Sequence, residues 1–226
     1  MNCLTLARLL QLASQAFPIG AYSHSQGLES AIEQRIVADE ASALSWITQV
    51  LEFSMMSYEI PRLIAMGAAW ANGCPAELHA LNEEFLATRE TSELRSATVQ
   101  MGYSMRSVLY VLGDVRLEYV EVLRSMEEPS LPCVWSAVCA AWQIDARESA
   151  VAYLWSWAEN QVMAAIKAVP LGQSAGQRML CCVGGVIGRA LAHQGSARDG
   201  ELSNFTPALA ILCAQHETQY SRLFRS

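Results

Sequence analysis

Ser25 stands beside His24, and a hydroxyl next to an imidazole is the pairing that acyl transfer uses when the ring can take the hydroxyl proton. Neighbouring residues rarely aim their side chains at each other. The pair therefore reads first as capping and hydrogen-bonding groups at a helix start, with a helical hydrolase built on Ser25 and His24 as the alternative. A GxSxG nucleophile elbow would need glycine at Ser23 and a strand-to-helix turn, and the chain offers neither. The four histidines and seven cysteines could supply metal ligands, but His24, His79, His193 and His216 form no HxH or HxxxH spacing. Cys181 and Cys182 are adjacent, which sends their thiols to different parts of a helix surface. Buried, structural cysteines are expected, with no metal site and no catalytic residue. The loop-like stretch Gly172 to Gly176 has three residues between its glycines where a phosphate loop has four, and lacks the Lys-Ser/Thr end. The chain is not expected to bind GTP itself, nor any cofactor.

The elements that must position these groups read as helices throughout. Leu6, Leu9, Leu10 and Ala13 share one face of an N-terminal packing helix that breaks at Pro18; no cationic leader precedes it, so it does not read as a signal peptide. Ser23 and Gln26 have capping-box spacing ahead of the stripe Leu28, Ile32 and Ile36, which places a helix start near Ser23. Asp39 caps a helix containing Leu44, Ile47 and Leu51; Pro61 opens another that Gly73 ends, and Pro75 starts the next. A long helix runs from about Thr91 to Gly113, Asp114 caps a short one through Leu123, and the stretch from Pro129 to Pro132 is a loop. Asp145 with Glu148 opens an apolar helix through Ile166, and Ser174 with Gln177 repeats the device for a helix whose Gly184, Gly185 and Gly188 invite close packing. Gly195 to Asn204 reads as a mobile polar loop before a last helix at Pro207. The fold class is all-α: an irregular single-domain helical bundle of roughly nine or ten helices over residues 1–226.

Composition says how such a bundle would work. With 52% hydrophobic and only 16% charged residues, it can bury a large core and keep apolar surface for a partner. A net charge of -7 without a basic run argues against nucleic acid, and no uninterrupted apolar stretch is long enough to span a membrane. An odd cysteine count without a CxxC pair fits reduced thiols and a cytoplasmic setting.

Four segments carry a resemblance. They are AFPIGAYSHSQGLE at 16–29; Arg89, Glu90, Glu93, Arg95, Gln100, Met101 and Gly102; KAVPLGQSAGQ at 167–177; and HETQYSRLFRS at 216–226. In order and spacing the chain resembles the urease accessory protein UreF family. The resemblance implies an all-α homodimer that joins UreD (also called UreH) and the GTPase UreG on apo-urease. Nickel and GTP then belong to the wider complex, and this chain contributes recruitment without catalysis.

Partner-binding candidates follow from both readings. Tyr22, His24 and Gln26 crowd a glycine-flanked turn, with Glu29 just inside the next helix. Glu93 and Arg95 sit in a mixed-charge face that could rim an interface or lie solvated. Lys167 ends an apolar helix, where a cation can cap the last carbonyls or reach a partner, and Gln173 and Gln177 follow on the next turn. The C-terminal tail at about 216–226 carries Tyr220, Arg222, Leu223, Phe224 and Arg225. It is expected to dock on UreD and to contribute few core contacts of its own.

Overall fold

The computed structural model describes residues 2–113, 115–193 and 202–226. Asp114 and most of the loop read between Gly195 and Asn204 lie outside the described residues, which contain ten helices and no strand once the uninterrupted run 40–72 is counted as one. In order they are α1 (Cys3–Ala13), α2 (Leu28–Glu33), α3 (Glu40–Val50) continuing into α4 (Ile60–Asn72), α5 (Pro75–Ala87), α6 (Ser92–Leu112), α7 (Leu117–Ser125), α8 (Leu131–Ala141), α9 (Ala146–Ala168), α10 (Gln173–His193) and α11 (Pro207–His216).

Helix α9 is the axis of the bundle, touching α1, α2, α3, α4, α8 and α10. Its sequence explains that position. Ala150, Ala152, Ala158, Ala164 and Ala165 are buried and keep its surface low, so neighbours on several sides can come near. Tyr153 fills one gap by meeting the Trp135 ring of α8 edge-on at 5.1 Å. One continuous cluster of buried apolar residues extends from Leu12 in α1 to Phe224 in the tail.

Several expected starts and stops moved, each for a local reason. Asp39 does cap α3, in a reciprocal box with Ser42. The expected break before Pro61 is replaced by a π-helical stretch, Leu51–Glu59, that joins α3 to α4. Pro61 has no N–H for the Ser57 carbonyl and its ring crowds that group, so widening the preceding turn, where the Ile60 N–H reaches back to the Met55 carbonyl, admits the proline without a break. The Asp145 carboxylate accepts from the Arg147 N–H, a simple cap without Glu148. Ser174 lies inside α10, whose first turn is closed on the Gly172 carbonyl. Of the stretch read as a loop from Pro129 to Pro132, Pro129 and Ser130 lie outside any helix, while Leu131 and Pro132 already belong to α8, with the proline in its first turn.

Of the glycines expected to permit close packing, Gly184 does lie against α9, where an added Cβ would stand 3.4 Å from the Trp155 ring, but the tightest approaches are elsewhere. A Cβ on Gly102 of α6 would lie 2.0 Å from the Pro129 carbonyl oxygen, and one on Gly176 would lie 2.3 Å from Ile166 Cδ1. Gly188 has nothing within 4 Å. Nor are all the cysteines buried: Cys133, Cys139 and Cys213 are, with burial pushing each thiol up to about 12, while Cys3, Cys181 and Cys182 are exposed.

Candidate functional site

The N-terminal turn is fixed from both ends. Phe17 and Ile19 are buried, and the chain then reverses through left-handed residues at Gly20, Gln26 and Gly27. Gly27 is required twice over: its φ is +85°, and a Cβ there would meet Cys213 Sγ at 2.9 Å, because α11 lies directly against this turn. Gln26, with φ of 51°, is held in a region that side chains disfavour; its Oε1 accepts a hydrogen bond from the Trp157 indole of α9 at 2.6 Å. Asn160, one turn further along α9, donates to the Ala21 carbonyl at 2.6 Å. The helix expected from Ser23 therefore begins only at Leu28, and residues 21–23 form a single 3₁₀ turn.

This turn binds the chain's own last residues. The Gln26 N–H and the Ser25 hydroxyl donate to the Ser226 main-chain oxygen at 2.9 and 2.8 Å, and the Ser25 N–H donates to the same atom. The Ser226 hydroxyl meets His24 Nδ1 at 2.8 Å, and the Arg225 N–H donates to the Ser23 carbonyl at 2.8 Å. Both side chains of the hydrolase alternative are thus buried and bonded to Ser226 instead of to each other. Burial, reinforced by the Arg225 charge and opposed by that of Glu93, depresses the His24 pKa to about 4, so the ring is neutral near pH 7.

A second polar cluster sits one helical turn further in. Glu29 of α2 accepts the Leu223 and Phe224 N–H groups at 2.6 and 2.9 Å. His216, fully buried at the end of α11, places Nε2 3.1 Å from Glu29 and Nδ1 2.6 Å from Glu93 of α6. The ring thus lies between two carboxylates and bridges α2 to α6. Arg222 closes the row on the other oxygen of Glu93. Around it, Glu217 accepts from the Ser92 hydroxyl at 2.6 Å and the Glu93 N–H at 3.0 Å, satisfying the start of α6; those bonds lower its pKa. Each of the two carboxylates Glu29 and Glu93 has at least two hydrogen-bonding partners, which is the condition for enclosing such groups without large loss.

The candidate residues therefore divide. His24, Gln26, Glu29, Glu93, Arg222 and Phe224 are brought together, from positions up to about two hundred residues apart in sequence, and largely hold one another. In particular His24, Glu29 and Phe224 are buried, so as placed they are no contact surface. The tail is likewise more than a loose end, since Phe224 joins the core. Tyr22, Tyr220, Leu223 and Arg225 point outward. Arg95 pairs with Glu128 ahead of α8. Lys167, Gln173 and Gln177 lie exposed about the turn from α9 to α10, and no described hydrogen bond or ion pair ties them to the tail. The sequence reading passed over His216, Ser226, Trp157 and Asn160 as site residues. No local pattern marks them as bracing groups, because their partners come from distant segments; only the membership of His216 and Ser226 in the quoted tail segment hinted at a role. Among the described residues no group of three or more His, Cys, Asp or Glu could hold a metal ion, and no helix is long and apolar enough to cross a membrane.

Fold and cluster together define an all-α helical-bundle protein whose buried polar groups bind its own C-terminal tail. Comparison with known proteins places it more closely. The UreF family profile matches residues 37–183, and the chain is 54% identical to the urease accessory protein UreF of Dechloromonas aromatica over 226 residues, covering 99% of that protein. It is 52% identical to the protein of the same name from Azoarcus sp. over 225 residues, covering 96% of it, and 43% identical to that of Methylobacillus flagellatus over 222 residues, covering 98%. The chain belongs to the UreF family of urease accessory proteins.

Proposed function

We propose that this chain is a non-catalytic scaffold for urease maturation: as a homodimer in the cytoplasm it joins UreD and the GTPase UreG on apo-urease, and the assembled complex inserts nickel. Nickel is the cargo and GTP the partner's substrate; this chain supplies surfaces, and residues 1–226 act as one domain. The observation that carries the reading is the ordered tail. Folded back on the N-terminal turn, it leaves Tyr220 and Leu223 105% and 72% exposed beside Arg225, while Tyr22 on the facing turn is 65% exposed. Apolar and aromatic side chains held outward on a braced segment form a preorganised docking surface, in which little ordering entropy remains to be lost on binding. UreD is its proposed occupant, and the exposed Lys167 with Gln173 and Gln177 is the proposed contact for UreG.

Co-expression with the UreD and UreG homologues of the same operon tests it. Changing Tyr220 and Leu223 together to alanine is expected to leave the helical content intact, abolish UreD capture, and yield urease lacking nickel. Normal capture and normal nickel content in that variant would remove the tail surface from the assignment.

A further inference from the structure

We infer that Glu29, Glu93 and His216 are positioning residues, a largely enclosed clip that fixes residues 220–226 in the conformation presented to the partner. Partner capture then depends on groups that the partner never touches. The inference rests on the tail-docking reading above. Its geometry lies in the two amides that Glu29 accepts. Successive N–H groups of an extended chain point to opposite sides, so one carboxylate can take the N–H groups of both Leu223 and Phe224 only if the chain bends there, and it does. The bend sends Phe224 into the core, 7% exposed, and Leu223 outward, 72% exposed. The Glu29 carboxylate thus selects which of the two apolar side chains is available for docking.

The remaining members keep that carboxylate in place. Glu29 and Glu93 belong to different helices, α2 and α6, and the His216 ring bridges them from a third, α11. Arg222 ties the tail's near end to Glu93, so the segment is gripped before and at the bend. The side chains of His216, Glu29 and Glu93 are 0%, 8% and 17% exposed, too enclosed for an interface contact.

Glu29→Gln tests this, because it keeps the shape of the side chain but replaces one of the two acceptor oxygens with a donor. Hydrogen exchange in the full-length variant is expected to show loss of protection at the Leu223 and Phe224 amides while α9 stays protected. Its affinity for co-expressed, purified UreD homologue should fall at least about tenfold, as for any binding-competent state that becomes a minor one. Stoichiometry at saturating UreD should be unchanged, since enough partner recovers the bound conformation. Leu223→Ala is the contrasting variant: protected amides, weakened capture. The clip is overturned if Glu29→Gln leaves both amides protected, if a released tail binds UreD with unchanged affinity, or if α9 loses protection as well, which would make Glu29 a general support of the fold. The docking reading fails separately if Leu223→Ala, with its tail protected, binds UreD as tightly as the unmodified chain.

Discussion

The tail cluster and the turn between α9 and α10 both consist of motif residues, yet they are built in opposite ways. In the first, Glu29 and His216 are buried, Glu93 is half-buried, and all three are bonded across the chain. In the second, Lys167, Gln173 and Gln177 are exposed, and the main chain closes on itself, with the Leu171 N–H on the Val169 carbonyl and the Ala175 N–H on that of Gly172. A shared motif status therefore conceals two jobs. Residues of the first region act by holding structure, and changes there spread; those of the second lie free of the core, and changes there stay local.

The sharpest way to break this contrast is deletion of residues 220–226. It removes Phe224 from the core and strips Glu29 of its main-chain donors, for an expected loss of about 3–5 kcal/mol. Urea denaturation reads it directly. An unchanged midpoint would mean that the tail only rests on the surface.

Acid titration probes the same region more gently. His24 has its pKa lowered from 6.5 to about 4, so between those values the unfolded chain takes up a proton that the folded one refuses. The sign follows: stability contributed by neutral His24 is complete above pH 6.5 and declines as pH falls toward 4, by on the order of 3 kcal/mol. Comparing the pH dependence of unfolding with that of His24→Asn isolates this share; identical slopes would show that burial of the ring carries no linkage.

At the second region the effects shrink. Gly176→Ala would bring a Cβ within 2.3 Å of Ile166 Cδ1, the end of a flexible side chain that can turn away. Helix propensity offsets part of the strain, leaving a net loss of about 1 kcal/mol by thermal unfolding. Lys167→Ala should change stability by no more than about 0.5 kcal/mol while reducing capture of the UreG homologue. If it instead destabilises the chain by as much as the tail deletion, the division between bracing and presenting residues collapses.

Much of this architecture is written locally. Periodic apolar residues give α6 and α9, Asp39 and Thr91 accept the backbone bonds that start α3 and α6, and Gly73 and Gly113 end their helices in left-handed conformations. These are decided within a few residues, by side-chain spacing and by the four unpaired groups at each helix end, so the sequence by itself determined them. The resemblance of the tail and the N-terminal turn to UreF motifs was equally legible. What it left open was which residues of those motifs face inward. Tertiary structure decided that Glu29 and Phe224 are buried and Leu223 is exposed, that Ser25 and His24 grip Ser226, and that Gly102 and Gly176, not Gly188, are the sites of close approach. The physical reason is the same in each case. A buried charge or a missing Cβ gains its meaning from an atom supplied by a segment far away in sequence, and no local pattern encodes that atom.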